Sequence, residues 1–279
     1  NPAETFIQCV IPNGSKGFSF GTREKKMGHL ASTASELLFE DCFVPNDWMS
    51  IVCQSPDMIN SKKGIRWTVH SMIDYVVSSS RAGVGAIGTG IARGAYEAAM
   101  SYARKKNVGG ELLVNQQWAQ IILTDMYRNV NMGRAIYMES AYTDMLQGLF
   151  KLLAKKPIHY FLTLMPKWYF SLISPLLSLK LVTRLFRKYY YDWYTDEERD
   201  ASSGWASIAK YTCTDIGVAN ANLALDLMGA DGLRHDHGAE KCYRDVKLTQ
   251  IYESTNQVNQ MNLFCCLVGN HMPEVEFFK

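Results

Sequence analysis

The spacing of apolar and polar residues changes period along this chain. Over residues 5–50 the apolar positions fall in short β-branched and aromatic runs. Thr5-Phe6-Ile7-Gln8-Cys9-Val10-Ile11 stops at the turn signal Pro12-Asn13-Gly14, and Phe18-Ser19-Phe20 follows. Two more strand-like runs occupy 26–34 and 36–45, the second ended by Pro45. From Trp67 onward the spacing is helical. A helix opening at Arg81 is rich in small residues. Gly83, Gly85, Gly88 and Gly90 are weak helix formers that permit close approach of another helix or of a ligand. A further helix over 205–232 carries Asp215, Ala219, Leu223 and Leu227 and closes at Met228-Gly229-Ala230-Asp231-Gly232. The predicted fold class is α+β: part of a small β-domain over 1–66, then a mainly α-helical bundle over 67–279 interrupted by an insert at 148–200.

Composition adds a few constraints. The chain has 279 residues, 47% hydrophobic and 20% charged, enough to bury a sizeable core. A net charge of +2 gives no reason to expect a nucleic-acid partner. The seven cysteines contain no C-x-x-C pair, so reduced thiols are expected, with no zinc site and no disulfide framework, in a cytoplasmic or mitochondrial-matrix compartment. The N-terminal residues lack a basic region and an uninterrupted apolar stretch, which is unlike a secretory signal. They resemble the middle of a β-domain, so the chain is expected to begin inside a fold.

Candidate chemistry centres on 243–257. Lys247, Leu248, Ile251 and Tyr252 keep helical spacing until the polar run Ser254-Thr255-Asn256 breaks it, and an amphipathic pattern resumes at Val258, Met261, Asn262 and Cys265. Glu253 sits at that break. A carboxylate reached by an apolar approach can face a cavity and act as a general base; an ordinary surface Glu at a helix end is the bland alternative.

Arg244-Asp245-Val246-Lys247 followed by Gln250-Ile251-Tyr252-Glu253-Ser254-Thr255-Asn256-Gln257 resembles the signature of the acyl-CoA dehydrogenases, with Ser254 where Gly is usual. Some 200 residues upstream, Lys26-Met27-Gly28, Ser32-Thr33, Leu38-Phe39-Glu40-Asp41 and Val44-Pro45 resemble that family's β-domain. The resemblance implies FAD-dependent α,β-dehydrogenation of an acyl-CoA thioester. Glu253 would remove the α-proton, and its backbone N–H would help hold the thioester oxygen. Tyr252 and Arg81 would contact substrate, and Thr255 and Gln257 would contact the flavin held by the same chain. Lys106, Gln117 and Gly229 would contact a flavin across a dimer interface. In those segments Lys106 replaces an Arg, Gly109 a Phe, Asp226 a Gln and Ala230 a Gly. A Lys keeps a charge but loses the bidentate fork of Arg.

These departures suggest a heteromer in which this chain donates weakly to its partner's cofactor. Implied partners are an electron-transferring flavoprotein or a membrane-associated acceptor, within a homo- or hetero-oligomer, a dimer of dimers. The rival readings are an acyl-CoA oxidase and a catalytically degenerate subunit kept for assembly or membrane docking. The family's N-terminal helical domain and the first part of its β-domain have no counterpart in the sequence, which implies a fragment or one half of a split subunit.

One stretch has no family counterpart. Residues 148–191 hold eight Lys or Arg and no Asp or Glu, interleaved with aromatic residues and cut by Pro157, Pro166 and Pro175. The longest uncharged run, 168–179, is 12 residues, short of the ~20 that span a bilayer. An interfacial element on a membrane surface, peripheral on an inner membrane face, is expected; packing on another subunit or on the chain's own core are the alternatives.

Overall fold

The structure is a computed structural model that describes residues 7–45, 49–52, 64–147, 151, 155–177, 179, 181–182, 185, 195–272 and 274. The chain divides into two compact units, 1–74 and 75–279.

In the first unit, β1 (Ile7–Cys9) pairs antiparallel with β4 (Met49–Val52), Ile7 opposite Val52, with a register slip between Gln8 and Cys9. A separate pair joins β2 (Phe18–Arg23) to β3 (Ser35–Phe39), Phe18 opposite Phe39 and Phe20 opposite Leu37. The Phe18 and Phe39 rings stack at 5.2 Å between centroids, the kind of cross-strand contact that fixes a register. The strand expected over 26–34 is instead irregular. His29 takes a left-handed backbone (φ 49), and Lys26 Nζ donates to the Ser32 carbonyl at 2.5 Å, closing a loop. The predicted run over 36–45 ends as a strand at Phe39, because the Glu40 N–H turns to the Gly17 carbonyl (2.8 Å) and Asp41 is also left-handed.

Helix α1 (Gly64–Ala103) begins well before the predicted opening at Arg81, since residues 64–80 contain no Pro or internal Gly to stop it. A two-residue hairpin follows, β5 (Asn107–Val108) and β6 (Glu111–Leu112). Its central residues, Gly109 and Gly110, have φ of 63° and 94°, the conformation of a tight hairpin turn.

The second unit is a bundle of α2 (Gln117–Met145), α5 (Asp196–Met228), α6 (Ala239–Thr249) and α7 (Asn256–Leu263) around residues 75–103 of α1. The N-terminus of α5 carries a capping box, Thr195 with Glu198, which places its first turn. Helices α1 and α5 run parallel and close. A Cβ on Gly85 would lie 2.8 Å from the Ala209 carbonyl, and one on Gly88 3.0 Å from that of Cys213. Gly83 and Gly90 face open space, so only half of the glycines singled out in this helix serve helix contact.

Asn220, fully buried, donates to the Ala92 carbonyl of α1 (3.1 Å) and the Met126 carbonyl of α2 (3.0 Å). Asn129 of α2 donates to Asn220 Oδ1 at 2.9 Å, so one side chain ties three helices in register. Apolar packing continues through Ala95, Ala99, Leu123, Met126, Ala224 and Leu227. Full burial of each larger aliphatic chain contributes about 1.5–3 kcal/mol.

Helices α3 (Lys156–Leu164) and α4 (Lys167–Leu177) lie in the basic-aromatic stretch. No helix among the described residues is long and apolar enough to cross a membrane. The described cysteines are all free, and no described cluster of His, Cys, Asp and Glu could hold a metal.

Candidate active site

Helix α6 ends at Thr249, and the chain reaches α7 through a loop that reverses direction on two consecutive non-glycine residues in the left-handed region, Glu253 (φ 54) and Ser254 (φ 68). Each such residue costs about 1–2 kcal/mol for an L-amino acid. The loop persists because side chains from below capture its carbonyls. Lys210 Nζ donates to the Ser254 carbonyl at 2.7 Å and to Asn256 Oδ1 at 2.7 Å. The Asn259 amide is shared among the carbonyls of Glu253 (3.4 Å), Ser254 (3.1 Å) and Thr255 (2.9 Å). Asn256 donates to Asp215 at 2.8 Å, Gln250 donates to the same carboxylate oxygen at 2.6 Å, and the Asn256 N–H donates to the Gln250 carbonyl at 3.1 Å. Lys210 and Asn259 are fully buried and Asn256 nearly so. A strained turn held from this many directions is over-determined, the usual condition of a functional backbone outlier.

The loop presents the Glu253 carboxylate outward. Glu253 is exposed, contrary to the enclosure expected from its apolar approach. Its Oε2 accepts a hydrogen bond from Ser80 Oγ of α1 at 2.5 Å, a short, charge-assisted contact. The Glu253 backbone N–H makes no hydrogen bond among the described residues.

Beneath the turn, burial pushes the Lys210 ammonium down to about 8. The Arg81 charge acts in the same direction, while Asp215 and Glu253 oppose it. Arg81 is buried within α1 and donates to Ser207 Oγ at 3.3 Å. Tyr252, half-buried, has its phenol pushed up by burial first and by the neighbouring Glu253 charge second. Thr255 caps α7, its hydroxyl oxygen accepting from the Val258 N–H at 3.4 Å, and Gln257 is exposed in the first turn.

The remaining candidates gather elsewhere. Lys106 is exposed and pairs with Asp231 at 3.0 Å, and Tyr102 Oη donates to the same carboxylate oxygen at 2.6 Å. These hydrogen bonds hold the Asp231 carboxyl below its ordinary range and the Lys106 ammonium above its own. Gly229 caps α5 two residues before Asp231. Gln117 is exposed at the start of α2, and Asp226 is exposed on the last turn of α5. Ser80 and Tyr102 are separated by about 30 Å of helix at 1.5 Å per residue. The structure therefore brings Glu253, Tyr252, Thr255 and Arg81 to one end of the bundle and Lys106 and Gly229 to the other.

For the flavin implied by the resemblance, the two ends differ in fit. The Glu253 end offers the positive end of α7, a threonine hydroxyl, an exposed glutamine and a cation beneath the turn, which suit an electron-rich or anionic group. At the other end Asp231 already neutralises Lys106, and that end does not fit a diphosphate as it stands. Ser80, Lys210 and Asn259 were not recognisable as parts of a site from motif matching. The available signal was polar side chains on otherwise apolar helical faces, Lys210 and Thr214 beside Ala206, Ala209 and Cys213.

Comparison with known proteins identifies the family. Residues 71–149 and 178–264 match the acyl-CoA dehydrogenase C-terminal domain, and the match passes over most of the basic-aromatic stretch. An acryloyl-CoA reductase (NADH) of Anaerotignum propionicum is 25% identical over 253 residues, and a probable acyl-CoA dehydrogenase of Mycobacterium leprae 26% over 254. Each alignment covers 90% of this chain and 48% of the relative, so the chain spans about half the length of the curated relatives it matches. The solved structure of butyryl-CoA dehydrogenase from Megasphaera elsdenii shares the fold with a TM-score of 0.66 at 21% identity, covering 95% of this chain and 52% of that one. With more than half of its residues inside the matched domain, the chain belongs to the acyl-CoA dehydrogenase family.

Proposed function

We propose that this chain supplies the proton-abstracting part of an FAD-dependent acyl-CoA dehydrogenase, with Glu253 as the base. The observation that carries this reading is the Glu253 carboxylate standing on a left-handed turn that three buried side chains hold in place. Ser80 fixes one carboxylate oxygen, which leaves Oε1 to take the α-proton of the thioester. The Glu253 backbone N–H, which makes no hydrogen bond among the described residues, would donate to the thioester oxygen, where negative charge develops as the proton leaves. The buried Lys210 charge under the same turn favours that charge build-up. Thr255 and Gln257 would hold the flavin and Tyr252 would flank the substrate. FAD bound there would supply the acceptor for the hydride leaving the β-carbon, while Glu253 takes the α-proton, so that the Cα–H and Cβ–H bonds give way to a carbon–carbon double bond. The acceptor this reading calls for is an electron-transferring flavoprotein or a membrane-associated carrier.

The test is anaerobic titration of the purified full assembly with acyl-CoA. The flavin absorption band bleaches in the wild type and persists unbleached in Glu253→Gln. Bleaching at the wild-type rate in that variant would falsify the assignment.

A second reading rests on the Lys106–Asp231 pair. With its cation neutralised within the chain, that end does not serve a partner's flavin, and the protein works in a heteromer with fewer flavins than chains. One flavin per chain in the same preparation counts against it.

A further inference from the structure

Charge is segregated in this protein. The stretch 148–191 has eight basic residues and no acidic one, while the chain as a whole is only +2, so everything outside the stretch is net −6. Within it, α3 has Pro157 in its first turn and ends at Leu164, followed by Met165 held extended before Pro166; α4 contains Pro175. Helices of 9 and 11 residues interrupted in this way cannot span a bilayer, but they can lie along one.

The two helices are apolar in the wrong place for a bundle. No residue of α3 is buried. Tyr160, Phe161, Leu164, Trp168, Leu172 and Leu176 are 58–80% exposed. On α3, Tyr160, Phe161 and Leu164 share a face at i, i+1, i+4. On α4, Trp168, Leu172 and Leu176 repeat every four residues along another. Lys155, Lys156 and Lys167 are exposed and have no acidic partner among the described residues, whereas Lys151 pairs with Glu198 of α5 at 3.2 Å and ties the stretch to the bundle. Lys180, Arg184, Arg187 and Lys188 lie outside the described residues.

Exposed aliphatic and aromatic side chains beside lysines that have no acidic partner among the described residues match the chemistry of a lipid headgroup boundary. Trp and Tyr favour that zone, and lysine stems lie over apolar surface while the ammonium reaches phosphate. An anionic surface attracts this stretch and repels the net-negative remainder, which fixes the orientation of the protein.

We propose that the stretch containing α3 and α4 is a docking platform that lays the protein on an anionic lipid bilayer, independently of the chemistry at Glu253.

The experiment is co-sedimentation of the full protein with vesicles of phosphatidylcholine alone and of phosphatidylcholine mixed with phosphatidylglycerol. Two variants accompany it: Lys155→Glu/Lys156→Glu/Lys167→Glu, and Phe161→Ser/Trp168→Ser/Leu172→Ser. All six positions are exposed, and an unchanged thermal melt verifies the fold of each variant. Expected are pelleting with the anionic vesicles only and at least tenfold weaker binding of both variants. Binding also falls at least tenfold between 0.1 and 0.5 M salt, as screening shortens from about 10 Å. Equal binding to neutral vesicles, no binding, or binding unchanged in the variants overturns the proposal. So does a change in oligomeric state of the serine variant without lipid, which would assign the face to a second copy of the chain.

Discussion

Ser254 occupies a position whose backbone is built for glycine, and replacing it isolates the cost of the turn. Its φ of 68° places an L-residue in the left-handed region. The steric cost of that conformation is about 1–2 kcal/mol, and glycine removes it. Glycine also brings an unfolded-state entropy cost of about 0.5–1 kcal/mol. The Ser254 carbonyl keeps its bonds from Lys210 and Asn259 whatever the side chain, and its hydroxyl makes no hydrogen bond among the described residues. Ser254→Gly is therefore expected to stabilise the protein by about 0.5–1 kcal/mol, an increase of roughly 1–4 °C in Tm for a unit of this size. Ser254→Val is the opposing control and should lose more than 1 kcal/mol, roughly, because β-branching aggravates the same clash. Thermal melts followed by far-UV circular dichroism rank the three proteins. A Gly variant no more stable than the wild type, or a Val variant equal to it, would show that the turn is not held left-handed and would remove the basis for a fixed Glu253.

Two further outcomes test the support of the site. Lys210 has an ammonium pKa of about 8 when folded against an ordinary value of 10.5, so it binds its proton less well folded than unfolded. Stability from this group is present above 10.5 and lost as pH falls through 8. Relative to Lys210→Met, the wild type should gain roughly 2–3 kcal/mol between pH 7 and pH 10 in denaturant titrations; parallel pH profiles would contradict the burial of the charge. At the helix seam, a Cβ on Gly217 would meet Val246 Cγ2 at 2.4 Å, so Gly217→Ala should destabilise by about 1–3 kcal/mol. Gly83→Ala, facing open space, should instead stabilise by about 0.5–1 kcal/mol; equal effects at the two positions would refute the packing described for α1 and α5.

The helical bundle and the position of Glu253 were legible in the sequence because both depend on local signals. The break at Ser254-Thr255-Asn256 ends one apolar period and starts another, and the structure places α6, the turn and α7 there. What could not be read depends on long-range pairing. Residues 26–34 have the composition of a strand but have no partner among the described strands, and a strand without a partner leaves its N–H and C=O groups unpaired. The glycines of α1 look alike in one dimension; only the position of α5 separates Gly85 and Gly88 from Gly83 and Gly90. The exposure of Glu253 and the hydrogen bond from Ser80, 173 residues away in sequence, are likewise tertiary facts. Lys106 departs from the family in residue type, and its pairing with Asp231, 125 residues away in sequence, is again a tertiary contact.

The carbonyls of residues 253–255, caught by Asn259 and Lys210, bear on the timing of order at this site. Fixing the backbone of one residue costs about 1–2 kcal/mol. For this turn that cost falls on folding, when the polar side chains close beneath it. A ligand arriving at Glu253 meets a backbone that is already immobile, so its binding free energy is not diminished by ordering the loop, and the carboxylate keeps the same direction for every molecule that enters.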